Sequence, residues 1–188
     1  LKNERGEHDF MAACREGNTE AVQFFLDLEG FDVNEPFSCK AYCEPVHGLF
    51  VAAAAGRIEV VQSLIAADAE INQTWGGITP LYVAAQNGHD KVVQMLLDSN
   101  ANPFKKYRFY WLFTKSPLNA ARSCKPWFRV INPAKYDSYT VIIKALKKAA
   151  SKSSSYKPVT THHSKAETER TPLLGEHSRL RSQPVSKQ

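Results

Sequence analysis

Residues 77–104 read GITPLYVAAQNGHDKVVQMLLDSNANPF and carry the start and stop signals of two short helices. Thr79 is a good helix N-cap, and Pro80 then falls in the first turn, where its missing N–H costs nothing. Gly88 allows the left-handed backbone that ends a helix, and Asn100 tolerates the same conformation after the second segment. Apolar residues recur at helical spacing in both segments: Leu81, Ala84 and Ala85, then Val92, Val93, Leu96 and Leu97. The stretch therefore predicts a pair of packed helices.

Weaker copies of this pattern lie on both sides of it. One copy covers residues 47–72 and has His47 in the place of the capping threonine, and an earlier copy covers residues 8–34. The extra residues between these two copies fall in the stretch 35–45. A fourth, degraded copy begins at Ser116, has Lys125 in the place of the glycine, and is expected to end in an apolar helix over 139–150. The chain is therefore built from internal repeats.

The run Thr79-Pro80-Leu81, the alanine pair and Gly88 resemble the ankyrin-repeat family, although Tyr82 stands where that family usually has histidine. The resemblance implies an all-α fold: an ankyrin-repeat solenoid of about four helix–loop–helix units with an irregular C-terminal repeat. The expected domain is 7–150, with units near 7–36, 46–72, 76–104 and 114–150. Residues 151–188 are rich in Lys, Ser, Thr and Pro, so we expect a disordered basic tail.

Charge is unevenly distributed along the chain. Residues 1–99 hold 6 Lys or Arg against 15 Asp or Glu, a net charge of −9, whereas residues 100–150 hold 11 against 1, a net charge of +10. No apolar run is long enough to span a membrane, and the N-terminus lacks the apolar core of a signal peptide. Four irregularly spaced cysteines do not form a disulfide framework, which favours a cytoplasmic protein. The sequence begins at Leu1 rather than Met, which favours a second interpretation, a regulatory or targeting fragment of a larger enzyme or membrane protein.

No catalytic motif is present, so the sequence predicts a protein that is not an enzyme and that needs no cofactor or metal. Cys39, Cys43 and His47 are spaced like loose zinc ligands, but no fourth ligand lies nearby. We interpret the two cysteines as loop thiols and His47 as a residue in the threonine position of its repeat.

The family resemblance implies a protein–protein interaction module or adaptor that binds a partner through its loop tips and concave face. The unusual segment is 105–113, KKYRFYWLF, where aromatics alternate with basic residues as they do at interface hot spots. The alternative is that Phe109, Trp111 and Phe113 cover the core of the last repeat. The expected partner has an acidic and apolar patch; single-stranded nucleic acid is disfavoured by the acidic first half. The predicted contact residues are Trp75, Tyr82, Gln86, Asn87, Tyr107, Arg108, Tyr110 and Trp111.

Two further motifs point to modification and sorting. Asn34 and Asn72 resemble the asparagine-hydroxylation pattern known in ankyrin repeats; the alternative is that each simply shapes its loop. In the tail, Glu169, Leu173 and Leu174 resemble an acidic dileucine signal read by clathrin adaptor complexes, which would bring the protein to endosomal or other membrane surfaces through partners. Thr171 precedes a proline and is a candidate phosphorylation site. A partner-docking leucine pair is the rival interpretation.

Overall fold

The computed structural model describes residues 8–39, 41–42, 44–109, 113–125 and 132–152, and for 107–109 and 113–114 it describes the backbone alone. The described residues form eight helices and one short β-hairpin. The helices are α1 (Asp9–Glu16), α2 (Thr19–Leu26), α3 (Gly48–Ala55), α4 (Ile58–Ala66), α5 (Pro80–Asn87), α6 (Asp90–Asp98), α7 (Pro117–Cys124) and α8 (Pro133–Lys152). The hairpin, between α6 and α7, pairs β1 (Tyr107–Phe109) with β2 (Phe113–Lys115) in antiparallel register.

The helices pack in consecutive pairs, and the pairs stack in chain order. The first helices α1, α3, α5 and α7 form one layer, and the second helices α2, α4, α6 and α8 form the other. One apolar core runs between the layers, and its largest fully buried side chains include Phe10, Phe50, Leu64, Leu81, Leu96, Ile142 and Leu146. This arrangement confirms the predicted helical repeat solenoid. The last pair is irregular because α8 has 20 residues, against eight or nine in every other described helix.

The helix starts follow the capping signals in the sequence. The Thr79 hydroxyl oxygen accepts a hydrogen bond from the Tyr82 amide at 3.1 Å, and the Ser116 hydroxyl does the same for the Asn119 amide at 3.3 Å. His47, which stands in the place of the capping threonine, makes no side-chain cap bond. A local polar side chain therefore begins three of the four first helices, since the His8 ring accepts from an amide of α1 as well.

Each of the first three helix pairs turns at a glycine that the next pair covers. Gly17, Gly56 and Gly88 all have the left-handed backbone, with φ values of 86°, 70° and 84°. A side chain of the following pair reaches the carbonyl oxygen two residues before each glycine. These contacts are Arg57 Nε to Arg15 O at 2.9 Å, His89 Nε2 to Ala54 O at 3.1 Å, and Tyr139 Oη to Gln86 O at 2.6 Å. The same junction therefore links all four pairs.

Helix α8 begins earlier than the apolar pattern indicates. The sequence predicts a helix over 139–150, whereas α8 begins at Pro133. The Asn132 side chain accepts a hydrogen bond from the Lys135 amide at 3.0 Å, so Asn132 and Pro133 form an N-cap and first-turn pair. The apolar period misses the first turns because their side chains lie largely at the surface.

Candidate functional site

Three hairpin loops connect the four helix pairs, and each precedes the first helix of the next pair. The first loop pairs Phe37 with Val46, and the second pairs Trp75 with Ile78 across Gly76 and Gly77. The third loop is the β1–β2 hairpin, in which Phe109 pairs with Phe113. Because the loops occupy the same place in successive repeats, their tips are the natural positions for a partner-binding surface.

The insertion in the first loop packs against the second loop. The centroid of the Tyr42 ring lies 4.8 Å from that of the Trp75 ring in an edge-to-face arrangement, and the Phe50 centroid lies 5.6 Å from that of Trp75. Trp75 is therefore half-buried in an aromatic cluster, and its buried Nε1 atom has no hydrogen-bond partner among the described residues. Burial also raises the pKa of Tyr42. Trp75, which the sequence predicts as a partner contact, thus also packs against Tyr42 of the first loop and holds the two loops together.

The candidate zinc ligands do not form a site in the described part of the chain. Cys39 is buried in the core at 4% exposure, and Cys43 lies outside the described residues. His47 is half-buried, and burial lowers its pKa against the opposing effect of Glu70. Within residues 8–39, 41–42, 44–109, 113–125 and 132–152, no group of three or more His, Cys, Asp or Glu is arranged to hold a metal ion.

The predicted contacts on α5 separate into a buried and an exposed group. Tyr82 is 5% exposed and packs within the repeat, so its side chain adds little to the accessible surface. Gln86 and Asn87 are exposed, but they lie at the C-terminal end of α5, whereas Trp75 precedes the N-terminal end. Eight helical residues span about 12 Å. Asn87 donates to the Ala54 carbonyl oxygen at 2.8 Å, which ties it to the preceding pair.

The third loop carries an exposed apolar and basic stretch at Phe104, Lys105 and Lys106, here called the basic loop. Phe104 is 49% exposed, and both lysines are exposed. Lys105 Nζ donates to the Asn72 carbonyl oxygen at 2.9 Å, which fixes the loop against the preceding repeat. The strand β1 follows directly and contains the predicted contacts Tyr107 and Arg108. Phe104 is not among the contacts predicted from the sequence. Its one sequence signal is that it follows Asn102-Pro103, outside any predicted helix, where the fold does not require an apolar residue.

Other predictions for this loop concern residues without a described side chain. Tyr110 and Trp111 lie outside the described residues. The side chains of Phe109 and Phe113 are likewise not described, so the alternative in which they cover the core stays a prediction. The tail residues Glu169, Thr171, Leu173 and Leu174 also lie outside the described part. Of the tail predicted to be disordered, residues 151–188, the first two belong to α8, and the rest lies outside the described residues.

The two asparagines link successive loops. Asn34 Oδ1 accepts a hydrogen bond from the Glu70 amide at 2.7 Å, and Asn72 Oδ1 accepts one from the Asn102 amide at 2.8 Å. A longer contact, at 3.4 Å, joins Asn34 Nδ2 to the Asp68 carbonyl oxygen. Each asparagine thus shapes the loop stack, as one of its two interpretations requires, while hydroxylation stays a prediction.

The electrostatics of the last repeat are dominated by unpaired cations. Among the described residues, the following basic side chains make no ion pair with a carboxylate: Lys106, Lys115, Arg122, Lys144, Lys147 and Lys148. All of them are exposed. These six cations are therefore presented to solvent rather than neutralised by carboxylates of the described residues.

The fold and its repeated junctions define an ankyrin-repeat protein. A family profile described as three copies of ankyrin repeats matches residues 10–107, and the chain belongs to this family. Ankyrin repeats are protein-interaction modules. The human (Homo sapiens) protein named transient receptor potential cation channel subfamily A member 1 is 40% identical to this chain over 96 residues. That match covers 47% of this chain and 8% of the relative, so the chain spans a small part of the relative's length. Among the described residues, no helix combines the length and the apolar character that a membrane span requires.

Proposed function

We propose that this chain is a non-enzymatic, protein-binding adaptor that engages its partner through its loop tips and the concave face of its first helices. The observation that carries the proposal is the basic loop, where Phe104 is 49% exposed beside the exposed Lys105 and Lys106. An exposed aromatic residue flanked by cations is typical of an interface anchor. Tyr107 and Arg108 continue the same composition along β1.

The chemistry of this loop defines the class of partner. Phe104 offers apolar area, and Lys106 offers a cation without a carboxylate partner among the described residues. The matching surface is a protein patch that is both acidic and apolar. Binding at such a patch should weaken as salt is raised, because solvent-exposed charges are screened beyond about 8 Å at physiological ionic strength.

The test is affinity purification from cell extract with the full chain, read by mass spectrometry, followed by titration of the recovered partner. The variant Phe104→Ser with Lys106→Glu should lose the partner, and so should the replacement of Tyr107, Arg108 and Tyr110 by alanine. Lys91→Glu changes an exposed lysine on α6 and serves as the control for charge alone. Unchanged affinity in both loop variants would show that the partner binds at another surface.

A second contact is proposed for the tail. Glu169, Leu173 and Leu174 would bind a clathrin adaptor complex as an acidic dileucine signal, with the leucines in an apolar pocket and the glutamate on a basic patch. Phosphorylation of Thr171 would add negative charge beside the leucines and tune the affinity. The double variant Leu173→Ala and Leu174→Ala should lose adaptor in a pull-down, whereas equal recovery would refute this contact.

The alternative function is a regulatory or targeting part of a larger protein. It is supported by the similarity of 96 residues to a cation channel, of which they cover 8%. In the adaptor interpretation the protein is cytoplasmic and reaches endosomal or other membranes through partners. In the alternative it is attached to further domains. Sequencing the full transcript and measuring the mass of the endogenous protein would decide between the two.

A further inference from the structure

The first helix pair exposes an apolar and acidic surface, here called the acidic end. It is formed by Glu20 and Phe24 on α2 and by Asp27, Leu28 and Glu29 in the turn that follows. Phe24 is 59% exposed and Leu28 is 42% exposed. Within the described part of the chain, none of the three carboxylates is paired with a cation. Two large apolar side chains therefore lie in water among unneutralised negative charges.

A shallow groove adjoins the acidic end. It has a volume of about 560 Å³ and lies between α2 and α4. Asp27 and Glu59 line it, while Leu26 and two alanines supply apolar area. The groove thus extends the acidic and apolar chemistry from α2 towards the second pair.

The last helix presents the opposite charge, on a surface here called the basic face. Tyr139, Ile142 and Leu146 turn one side of α8 into the core. The other side exposes Val141, Lys144, Lys147 and Lys148, and Val141 is 50% exposed. These three lysines make no ion pair with any described carboxylate. The one acidic residue of α8, Asp137, has an interaction of its own.

These two surfaces carry three of the four exposed large apolar residues described in this chain, the fourth being Phe104. They belong to the first and last helix pairs, and two further pairs separate them. One copy cannot bring its own two surfaces together across that stack. A second copy can satisfy both at once, because the charge signs are complementary and each surface contains an apolar centre.

We propose that the basic face of one copy binds the acidic end of another, so that the chain associates head to tail. Lysines of α8 meet the carboxylates at positions 20, 27 and 29, and Val141 packs against Phe24 and Leu28. Such a contact joins two different surfaces, so each added copy leaves one acidic end and one basic face open. Association therefore continues beyond a dimer or closes into a ring. This contact does not use the basic loop and stands independently of the proposed adaptor function.

The test measures the mass of the full chain by analytical ultracentrifugation. The wild-type weight-average mass should rise above 21.1 kDa as protein concentration increases and return to 21.1 kDa in high salt. Two variants separate the surfaces: Phe24→Ser with Leu28→Ser alters the acidic end, and Lys144→Glu with Lys148→Glu alters the basic face. Each variant alone should remain at 21.1 kDa.

The mixture of the two variants gives the decisive result. The first variant keeps its basic face and the second keeps its acidic end, so an equimolar mixture should form a dimer of twice 21.1 kDa and stop there. Lys91→Glu, at an exposed position on α6, is the matched control and should associate like the wild type. Far-ultraviolet circular dichroism checks that each variant is folded.

Three outcomes would overturn the proposal. The first is a wild-type chain that stays at 21.1 kDa at every concentration. The second is a mixture that remains monomeric although the wild type associates. The third is that only one of the two variants loses association while the other still associates, which would indicate a symmetric contact of one surface with itself. None of these outcomes affects partner binding through the basic loop, whose own variants test that function.

Discussion

Replacing Gly56 by alanine should destabilise the protein because the added Cβ would clash with the His89 ring. The same replacement at Gly30, where the backbone is similar, should produce no such clash. Gly56 has φ of +70°, and an added Cβ would lie 2.5 Å from Nδ1 and 2.6 Å from Cε1 of the His89 ring. Gly30 has a similar φ of +77°, yet an added Cβ there meets nothing within 4 Å. The two substitutions impose the same backbone strain, and the Gly56 change alone displaces a neighbouring side chain.

The expected free-energy changes follow from these two geometries. An L-residue in the left-handed region costs about 1–2 kcal/mol. Alanine offsets part of that cost, because it reduces the entropy of the unfolded chain by about 0.4–1 kcal/mol. The Gly30→Ala variant should therefore lose about 1 kcal/mol of unfolding free energy. In Gly56→Ala the His89 ring must move, which costs about 1–3 kcal/mol of repacking.

The same movement also breaks the contact between His89 Nε2 and the Ala54 carbonyl oxygen. Loss of that hydrogen bond adds about 1 kcal/mol. Gly56→Ala should thus be less stable than Gly30→Ala by about 2–4 kcal/mol. For a chain of this size, each kcal/mol corresponds to about 2–4 °C in melting temperature.

Urea unfolding followed by far-ultraviolet circular dichroism measures both variants under the same conditions. The His89→Ala background supplies the control, because removing the ring should remove most of the additional cost of Gly56→Ala. Equal destabilisation by Gly30→Ala and Gly56→Ala would refute the reasoning. An additional cost that persists without the His89 ring would also refute it.

Three further predictions concern single side chains. Asn34→Ala should cost about 1–2 kcal/mol and accelerate hydrogen exchange at the Glu70 amide, which loses its acceptor; unchanged exchange would contradict the link. Burial lowers the pKa of His47 below 6.5, so the unfolded chain takes up the proton first and stability falls as pH drops below 6.5. His47→Gln should flatten that part of the curve of unfolding free energy against pH, and an unchanged slope would exclude this cause. Cys124, which is exposed, should react with iodoacetamide in the folded protein before Cys14, whose burial raises its pKa. Peptide mass spectrometry measures the order of alkylation, and earlier alkylation of Cys14 would contradict the prediction.

Local signals predicted most of the helix pattern. Thr79 and Ser116 act as caps because each hydroxyl bonds an amide only three residues away. Asn100 adopts φ of +64° because the asparagine side chain tolerates this conformation. The start of α8 was misplaced because its first turns lie at the surface and break the apolar period, although Asn132 and Pro133 carry the capping signal.

The candidate site was harder to predict, because exposure depends on residues far away in the chain. The sequence predicts Tyr82 and Trp75 as surface contacts, yet Tyr82 is 5% exposed and Trp75 packs against Tyr42 from another loop. Conversely, Phe104 was not among the predicted contacts, although it is 49% exposed. Aromatic residues give the same sequence signal whether they fill a core or anchor a partner.

The sequence by itself determined the repeat, the caps and the glycine turns of this protein, because each depends on hydrogen bonds and backbone angles within a few neighbouring residues. It also determined the separation of acidic and basic charge along the chain. Only the tertiary structure decided which side chain covers each turn, such as His89 over Gly56, and which apolar residues stay in water, such as Phe24 and Val141. Those outcomes depend on how successive pairs stack, and the stacking brings together residues that are more than thirty positions apart.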